Sequence, residues 1–467
     1  MSIDWQRRSV QPTGSAHGPS ARCLCTAALL GWLSGSALAA SESDRKDCVA
    51  NRNPDQRIDV CTRVIADAAE SAGNRAVAYN GRGQAYQSKQ DYDRAIADFD
   101  EAIKLNATYA APYNNRGVAW RSKKDYDRAI ADYDAAIARS PKSAFAYAHR
   151  CQAYVDKKLH DRAIADCDEA IRLDAKYGWA HNNLGLAYFS GKDYDRAVAA
   201  HDAAIAINPK DSFAYARRGK VFAQKGDYER AIADLSQAIA LEPNSAWAYG
   251  QRGYAYFYQR IVTRKGDFDK AIADYSEAIR LDPKDAWARS SRGFAYKNSG
   301  DYDRALADCV EAIRLDAKFG DAYNCRGAAY RGRKELDRAL ADFSEAIRLD
   351  PKDGAALRNR GDTYRDLGNL DRAIADYAQA IEVNSKDFIA YNDRGKCYAA
   401  KKDNTRALAD FSEAIKLDPI FAEAYRNRGL AYKALGRKAD AVADFRKAIS
   451  IEPADQSAKD ELNRLGG

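Results

Sequence analysis

The sequence predicts an all-α fold, a solenoid of helical hairpins, on three observations. An Arg-Gly step recurs at Arg82, Arg116, Arg218, Arg252, Arg292, Arg326, Arg360, Arg394 and Arg428, at multiples of 34 residues except for one gap of 40 after Arg252. A fixed period of this length is the mark of one supersecondary unit repeated along the chain. About a dozen residues after each step comes a second signature, as in "DYDRAIADFDEAI" from Asp91. Within one unit, Ala76 to Tyr109, small and aromatic residues stand at helical spacing in two blocks: Tyr79, Gly83, Ala85 and Tyr86 at positions 4, 8, 10 and 11, then Ala95, Phe99 and Ala102 at 20, 24 and 27. Two amphipathic blocks joined by a polar turn make a hairpin.

The elements follow in chain order. Residues 1–39 place Arg7, Arg8 and Arg22 ahead of the apolar run Cys23 to Ala39, which ends Ala37-Leu38-Ala39 before the polar "SESDRKD". That layout is expected to be a secretory signal peptide cleaved after Ala39, since its core is short for a membrane span. Residues 40–75 are expected to hold a degenerate leading repeat, with Ile58, Cys61 and Ile65 where Ile96, Phe99 and Ile103 stand later. Residues 76–455 hold eleven full units, beginning at 76, 110, 144, 178, 212, 246, 286, 320, 354, 388 and 422. In the first of these, Asp91 is placed to cap the second helix. Most units close on a proline, such as Pro141, Pro209 or Pro351, which stops that helix. The sixth unit carries a six-residue insertion near 260–265, with Arg260, Arg264 and Lys265, expected to lengthen the turn after Tyr258. Residues 456–467 space Ala458, Leu462 and Leu465 on one face, as a C-terminal capping helix needs.

Composition narrows the function. Charged residues make up 30 % of the chain with both signs interspersed, and the formal charge is +7, so neither a nucleic-acid footprint nor an anionic-membrane surface is indicated. No Gly-rich phosphate loop, paired metal-ligand motif or nucleophile context is present, so no enzyme activity and no cofactor are expected. Seven cysteines remain after Ala39: Cys48, Cys61, Cys151, Cys167, Cys309, Cys325 and Cys397. Export to an oxidising compartment favours disulfides, and the odd count leaves one thiol over. Cys48 with Cys61 is the expected pair. Cys151 and Cys167, at positions 8 and 24 of the third unit, fit either a disulfide or a volume exchange, a larger group offsetting a smaller one.

The small-small-aromatic pattern at fixed offsets resembles the tetratricopeptide repeat, and the resemblance covers nearly everything after the expected leader at 1–39. It implies a right-handed superhelical solenoid of tetratricopeptide hairpins. The chain departs from the family at position 7, where arginine replaces the usual leucine. Aspartate occupies position 23 in the same ten units: Asp98, Asp132, Asp166, Asp234, Asp274, Asp308, Asp342, Asp376, Asp410 and Asp444. The fourth unit has Leu184 and Ala200 instead, having lost both charges together. Antiparallel helices that pair position 8 with 20 bring 7 near 23, so a repeated ion pair is expected, because a half-buried arginine without a partner is costly.

The resemblance places peptide contacts on the inner wall of the first helices, at positions 2, 5, 9, 12 and 13, the face that helical spacing selects. Along the chain that face is polar first (Asn80, Gln84, Asn114, Arg121), then aromatic (Phe145, Trp179, Phe189, Phe213, Tyr254, Phe257, Tyr258, Trp287, Phe294), then charged (Asp321, Arg331, Arg358, Asp362, Arg365, Lys396, Arg426, Lys433). The aromatic zone reads as a peptide groove; rings at position 2 have the alternative of packing between adjacent first helices. Asn114, Asn115, Asn182 and Asn183 at positions 5 and 6 resemble the asparagine ladder of O-linked N-acetylglucosamine transferase, where amides grip a peptide backbone. The carboxylate clamp of chaperone-binding members needs lysines where this chain has Asn80, Asn114 and Phe145, so that role is not expected. Cys167, His181 and His201 carry metal-binding chemistry but lack ligand spacing, and core substitution is the favoured reading. The expected function is a non-enzymatic scaffold, exported to the periplasm or secreted, that binds a protein or peptide segment along its concave face. A second reading makes it an accessory subunit of an envelope polysaccharide-synthesis or secretion machine whose catalytic partner is encoded separately.

Overall fold

The computed structural model describes residues 40–263 and 268–466, so the expected leader at 1–39 and the residues Arg264 and Lys265 lie outside the described residues. All regular structure among them is α-helical, in 25 helices. Two units divide at Pro243 and Asn244.

The N-terminal unit opens with a short helix, Glu42–Ala50, which packs on the next helix, Pro54–Ala66, and is joined to it by a Cys48–Cys61 disulfide. The bridge packs against Gly81, where an added Cβ would meet the Cys48 carbonyl at 2.8 Å and the Cys61 sulfur at 3.2 Å. Five hairpins follow, the first from Ala72–Ser88 and Tyr92–Leu105 and the fifth from Ser212–Gln224 and Tyr228–Leu241. The first of these helices begins four residues before Ala76, because the Ser71 side chain caps it at the Asn74 amide. The C-terminal unit holds six hairpins, from Ala246–Thr263 with Phe268–Leu281 to Ala422–Ala434 with Lys438–Ile451, and then the helix Gln456–Arg464. Ala458 and Leu462 of that last helix, with Leu465 just after it, lie on Ala441, Phe445 and Ala448, covering the end of the stack.

Local chemistry explains the hairpin. Asp91, Asp125, Asp193, Asp227, Asp301 and Asp403 each cap a second helix, accepting from the amide three residues on. The turn before the cap needs a left-handed residue, met by Gly226, Gly300, Gly368 and Gly436 in four hairpins and by Gln90 or lysine in others. The alanine at position 20 is fully buried in all eleven hairpins, from Ala95 to Ala441, which lets the helices close together. Position 8 shows why glycine is used despite its helix penalty. A Cβ on Gly83 would stand 2.6 Å from the Phe99 ring, and one on Gly117 2.7 Å from the Tyr133 ring. The position-24 side chain fills the space glycine leaves. In the third hairpin that space holds a Cys151–Cys167 disulfide instead.

The arginine at position 7 is answered by aspartate in all ten hairpins that carry both. Each guanidinium gives two hydrogen bonds to one carboxylate, at 2.5–2.9 Å. The remaining nitrogen often reaches back to position 25 of the preceding hairpin: Arg116, Arg150 and Arg218 to Asp100, Asp134 and Asp202, each at 2.5 Å, and Arg292, Arg360 and Arg428 to Ser276, Ser344 and Ser412. One arginine thus ties two helices of its own hairpin and the hairpin before it, the planar fork that lysine lacks. A second cross-link of this kind is covalent: the Cys309–Cys325 disulfide joins the second helix of the seventh hairpin to the first helix of the eighth. Cys397 is the remaining thiol, buried, and burial pushes it up to about 11, out of the reactive range.

In the sixth hairpin the insertion goes mainly into the first helix, where the turn was expected to lengthen: Ala246–Thr263 has 18 residues where its counterparts in the neighbouring hairpins have 13. Ile261 and Val262 on this extension are exposed.

Candidate functional site

Within each unit the first helices of successive hairpins touch, whereas second helices make no comparable contact among the described residues. The first-helix side is therefore the tighter, inner side of each stack.

On the inner side of the N-terminal unit, aromatic rings form a chain across three hairpins. Phe145 meets His149 edge-on at 4.2 Å, His149 meets Trp179 at 4.5 Å and stacks on Tyr133 at 5.9 Å, and Trp179 approaches Tyr177 at 6.1 Å. Trp179 at position 2 thus packs on position 6 of the preceding first helix. Phe145 is 47 % exposed and Phe213 37 %, with the Arg217 guanidinium 4.7 Å above the Phe213 ring. Phe189 lies between Tyr194 at 5.7 Å and the Lys220 ammonium at 5.2 Å. Burial, and then the Arg217 charge, push Lys220 down to about 7.

In the C-terminal unit the predicted aromatic residues are more enclosed. Trp287 covers Gly250, where a Cβ would be 2.8 Å from its ring, and it meets Tyr275 edge-on at 5.9 Å. Tyr254, Tyr258 and Phe257 form one cluster, at 4.4 and 5.2 Å, that continues to Phe268. Phe294 packs against Ala328, Ala339 and Phe343. The surface-seeking rings are therefore Phe145 and Phe213.

The asparagines are used differently from a ladder that projects into a groove. Asn115 donates to Asn80 at 2.8 Å, Asn359 to Asn324 at 2.8 Å and Asn427 to Asn392 at 2.9 Å, each joining position 6 to position 5 of the preceding hairpin. Asn183 donates to the Ala148 carbonyl at 3.4 Å along the same seam. Asn182 donates to Asp211 at 2.8 Å and contacts His201 at 3.1 Å. Asn115, Asn182 and Asn183 are all buried, so their amides hold hairpin to hairpin; packing between repeats outweighs exposure to a ligand. Asn114 is the exception. It is 5 % exposed, and neither its Nδ2 nor its Oδ1 has a hydrogen-bond partner. On the same two hairpins Tyr133 Oη, His149 Nδ1 and Gln152 Oε1 are buried and unpartnered as well, the Tyr133 and His149 rings being stacked. Sequence reasoning placed Asn114 on the inner face but missed Tyr133, His149 and Gln152, although the replacement of asparagine by histidine at position 6 was a visible signal. Burial pushes His149 down to about 3, so its ring is neutral.

The charged zone of the C-terminal unit closes on itself. Arg331 bonds Asp362 and Asp366, Arg365 bonds Asp393, and Lys396 bonds Asp393 and Glu423. Arg358 pairs with Asp387, Arg426 with Asp455 and Lys433 with Glu461. Asp321 lies near Asp353 and Asp350; burial first and those two charges next push its carboxyl up to about 7.

Cys167, His181 and His201 do not gather. The cysteine is in a disulfide, His181 Nε2 contacts the Ala175 carbonyl at 3.1 Å, and His201 faces Asn182. Among the described residues no three His, Cys, Asp or Glu side chains are grouped as a metal site would need, and no helix is long and apolar enough to cross a membrane.

Sequence profiles for the TPR repeat match residues 219–259 and 260–300, and profiles for the tetratricopeptide repeat match 80–144, 178–211, 288–319, 320–353, 358–419 and 422–455. No curated protein matches the sequence. Among solved structures, the APC/C hetero-tetramer Cut9–Hcn1 aligns over 90 % of this chain and 95 % of its own, with a TM-score of 0.50 and 16 % identity, a likeness of fold. Yeast Tom70 aligns with a TM-score of 0.47 at 16 % identity, over 84 % of this chain and 95 % of its own. YrrB, described as a TPR protein with an unusual peptide-binding site, aligns with a TM-score of 0.34 at 25 % identity, over 40 % of this chain and 97 % of its own.

Proposed function

The chain belongs to the tetratricopeptide-repeat family, and from that premise we propose that it is a non-enzymatic scaffold that binds a protein or peptide segment along the inner face of its N-terminal unit. One observation carries the reading: Phe145 and Phe213, large apolar side chains at position 2 of first helices, stay exposed at 47 % and 37 %. Exposed rings beside enclosed ones, with half-buried polar groups around them, are the composition of an interaction surface. The C-terminal inner face is the weaker candidate, because its charges are already paired with each other and a ligand would have to displace them. Three disulfides favour an oxidising, exported compartment for this activity.

The test is photocrosslinking from the intact chain in its native cell envelope. A photoreactive phenylalanine analogue replaces Phe145, Phe213 or, as the control, Val310, which is exposed on a second helix. Adducts from 145 and 213 that map to one short segment of one protein, and none from 310, support the reading. Adducts from 310 alone would move the interaction to the outer face and end the proposal.

A further inference from the structure

Position 5 of one hairpin and position 6 of the next, 35 residues on, meet along the inner seam. Three asparagine pairs close that seam at 2.8–2.9 Å. Between the second and third hairpins the pair is Asn114 and His149, and it does not close: both polar atoms of the Asn114 amide and the His149 Nδ1 are buried and unpartnered. The imidazole is held away by its ring contacts to Phe145, Trp179 and Tyr133. Tyr133 Oη and Gln152 Oε1 add two further unpartnered atoms from the same two hairpins. Native interiors rarely leave such groups unpaired, and five on two adjacent hairpins are a stored demand for a hydrogen-bonding guest.

We propose that this cluster is a subsite for one neutral carboxamide of the bound segment, an inference that rests on the peptide-binding reading above. The chemistry selects the guest. Asn114 Nδ2 and Tyr133 Oη can donate, while Asn114 Oδ1, Gln152 Oε1 and His149 Nδ1 in its neutral state can accept. A carboxylate would face acceptors it cannot satisfy, and Asp156 beside them. An ammonium would face Arg121, whose charge acts on both Tyr133 and His149. Arg121 and Asp156 are themselves bonded at 2.7 Å, so the two charges offset each other. An amide supplies N–H donors, two from a side-chain carboxamide and one from a backbone group, with a carbonyl acceptor, and fits this mixed set. The five atoms are buried, so entry requires the Phe145 and His149 rings, which meet edge-on, to turn; the exposure of Phe145 leaves it room to do so. A backbone peptide group and an Asn or Gln side chain share this chemistry.

The experiment uses the full chain with 15N-labelled tryptophan, reading the indole N–H of Trp179, assigned by its loss in Trp179→Phe. The probes are acetamide, which mimics the side-chain source, capped tetra-alanine, which offers backbone amides alone, and methyl acetate, an ester without the N–H. The expected result is a saturable shift with one or both amides and none with the ester; whichever amide acts at lower concentration names the source. His149→Asn, which can close the seam as the three native pairs do, and Asn114→Leu, which removes the polar atoms, should each weaken the effect by at least about 10-fold. Circular dichroism confirms that both variants fold. Equal shifts with the ester, no shift with any probe, or undiminished shifts in both variants would each overturn the subsite. Photocrosslinking from position 213 in His149→Asn separates the two proposals: adducts that persist while the probe titration fails leave the scaffold reading standing without this subsite.

Discussion

Asp132→Ala tests the arginine that the repeat places in its own core. The carboxylate accepts from Arg116 at 2.9 and 2.5 Å, and the side chains are 8 % and 22 % exposed. Burial raises the Asp132 carboxyl even with both bonds in place, while those bonds raise the guanidinium, so the intact pair has a small net worth. Breaking it is another matter, since removal of one partner from a buried pair costs about 3–5 kcal/mol. Arg116 keeps its bond to Asp100, which is half exposed, and is itself part-exposed. The expected loss is therefore discounted to about 2–3 kcal/mol. The double variant Arg116→Leu/Asp132→Ala reproduces the natural combination Leu184 with Ala200 and should recover to within about 1 kcal/mol of the parent. Repeat arrays do not unfold as one cooperative unit, so the readout is hydrogen exchange of peptides within 110–139, with 178–207 as internal reference. A single-variant loss under about 0.5 kcal/mol would class the pair with ordinary surface charges. A double variant no better than the single would refute the linkage between the two positions.

His149→Asn should stabilise the second and third hairpins by about 1–3 kcal/mol, because it pairs an amide now buried without partners; slower exchange at residues 110–156 checks this. Asp321 makes stability depend on pH in an unusual sense. Its folded pKa, about 7, is above that of the free side chain, so the folded state holds the extra proton between about 4 and 7. The eighth hairpin therefore gains stability as pH falls through that window and loses it as pH rises. Asp321→Asn should flatten the dependence and stabilise above pH 7, measured by exchange at residues 320–349 across pH. Reduction of the Cys151–Cys167 bridge, which closes a 16-residue separation, should cost about 3 kcal/mol locally. Cys151→Gly/Cys167→Phe restores the ring-on-glycine contact of the first hairpin and should remove the sensitivity to reductant, read from thermal melts with and without a thiol.

The covalent and charged devices differ in how far they could be read from the chain. The Arg–Asp pair was legible because both residues sit on one hairpin, at a fixed separation, and vanish together at Leu184 and Ala200. The asparagines were not, because a position-6 amide points to a groove or to the preceding hairpin according to how one hairpin is set against the next. Aromatic residues at position 2 show the same limit. Phe145 and Trp179 occupy equivalent places, yet Trp179 packs on His149 while Phe145 stays exposed, and the difference lies in what the neighbouring hairpin offers. The Cys309–Cys325 cross-link likewise depended on inter-hairpin distance, whereas Cys151 and Cys167 stood on positions already known to face each other.

Read alone, the sequence determined what is local: two helices per unit, their caps and turns, the small residues between them and the ion pair that neutralises position 7. These depend on spacing within about 34 residues and on side-chain chemistry, both visible in the chain. The tertiary structure decided which inner-face groups are already bonded and which remain available. That outcome depends on the packing of each hairpin against its neighbour, where a single exchange of asparagine for histidine leaves Asn114 buried and unpaired.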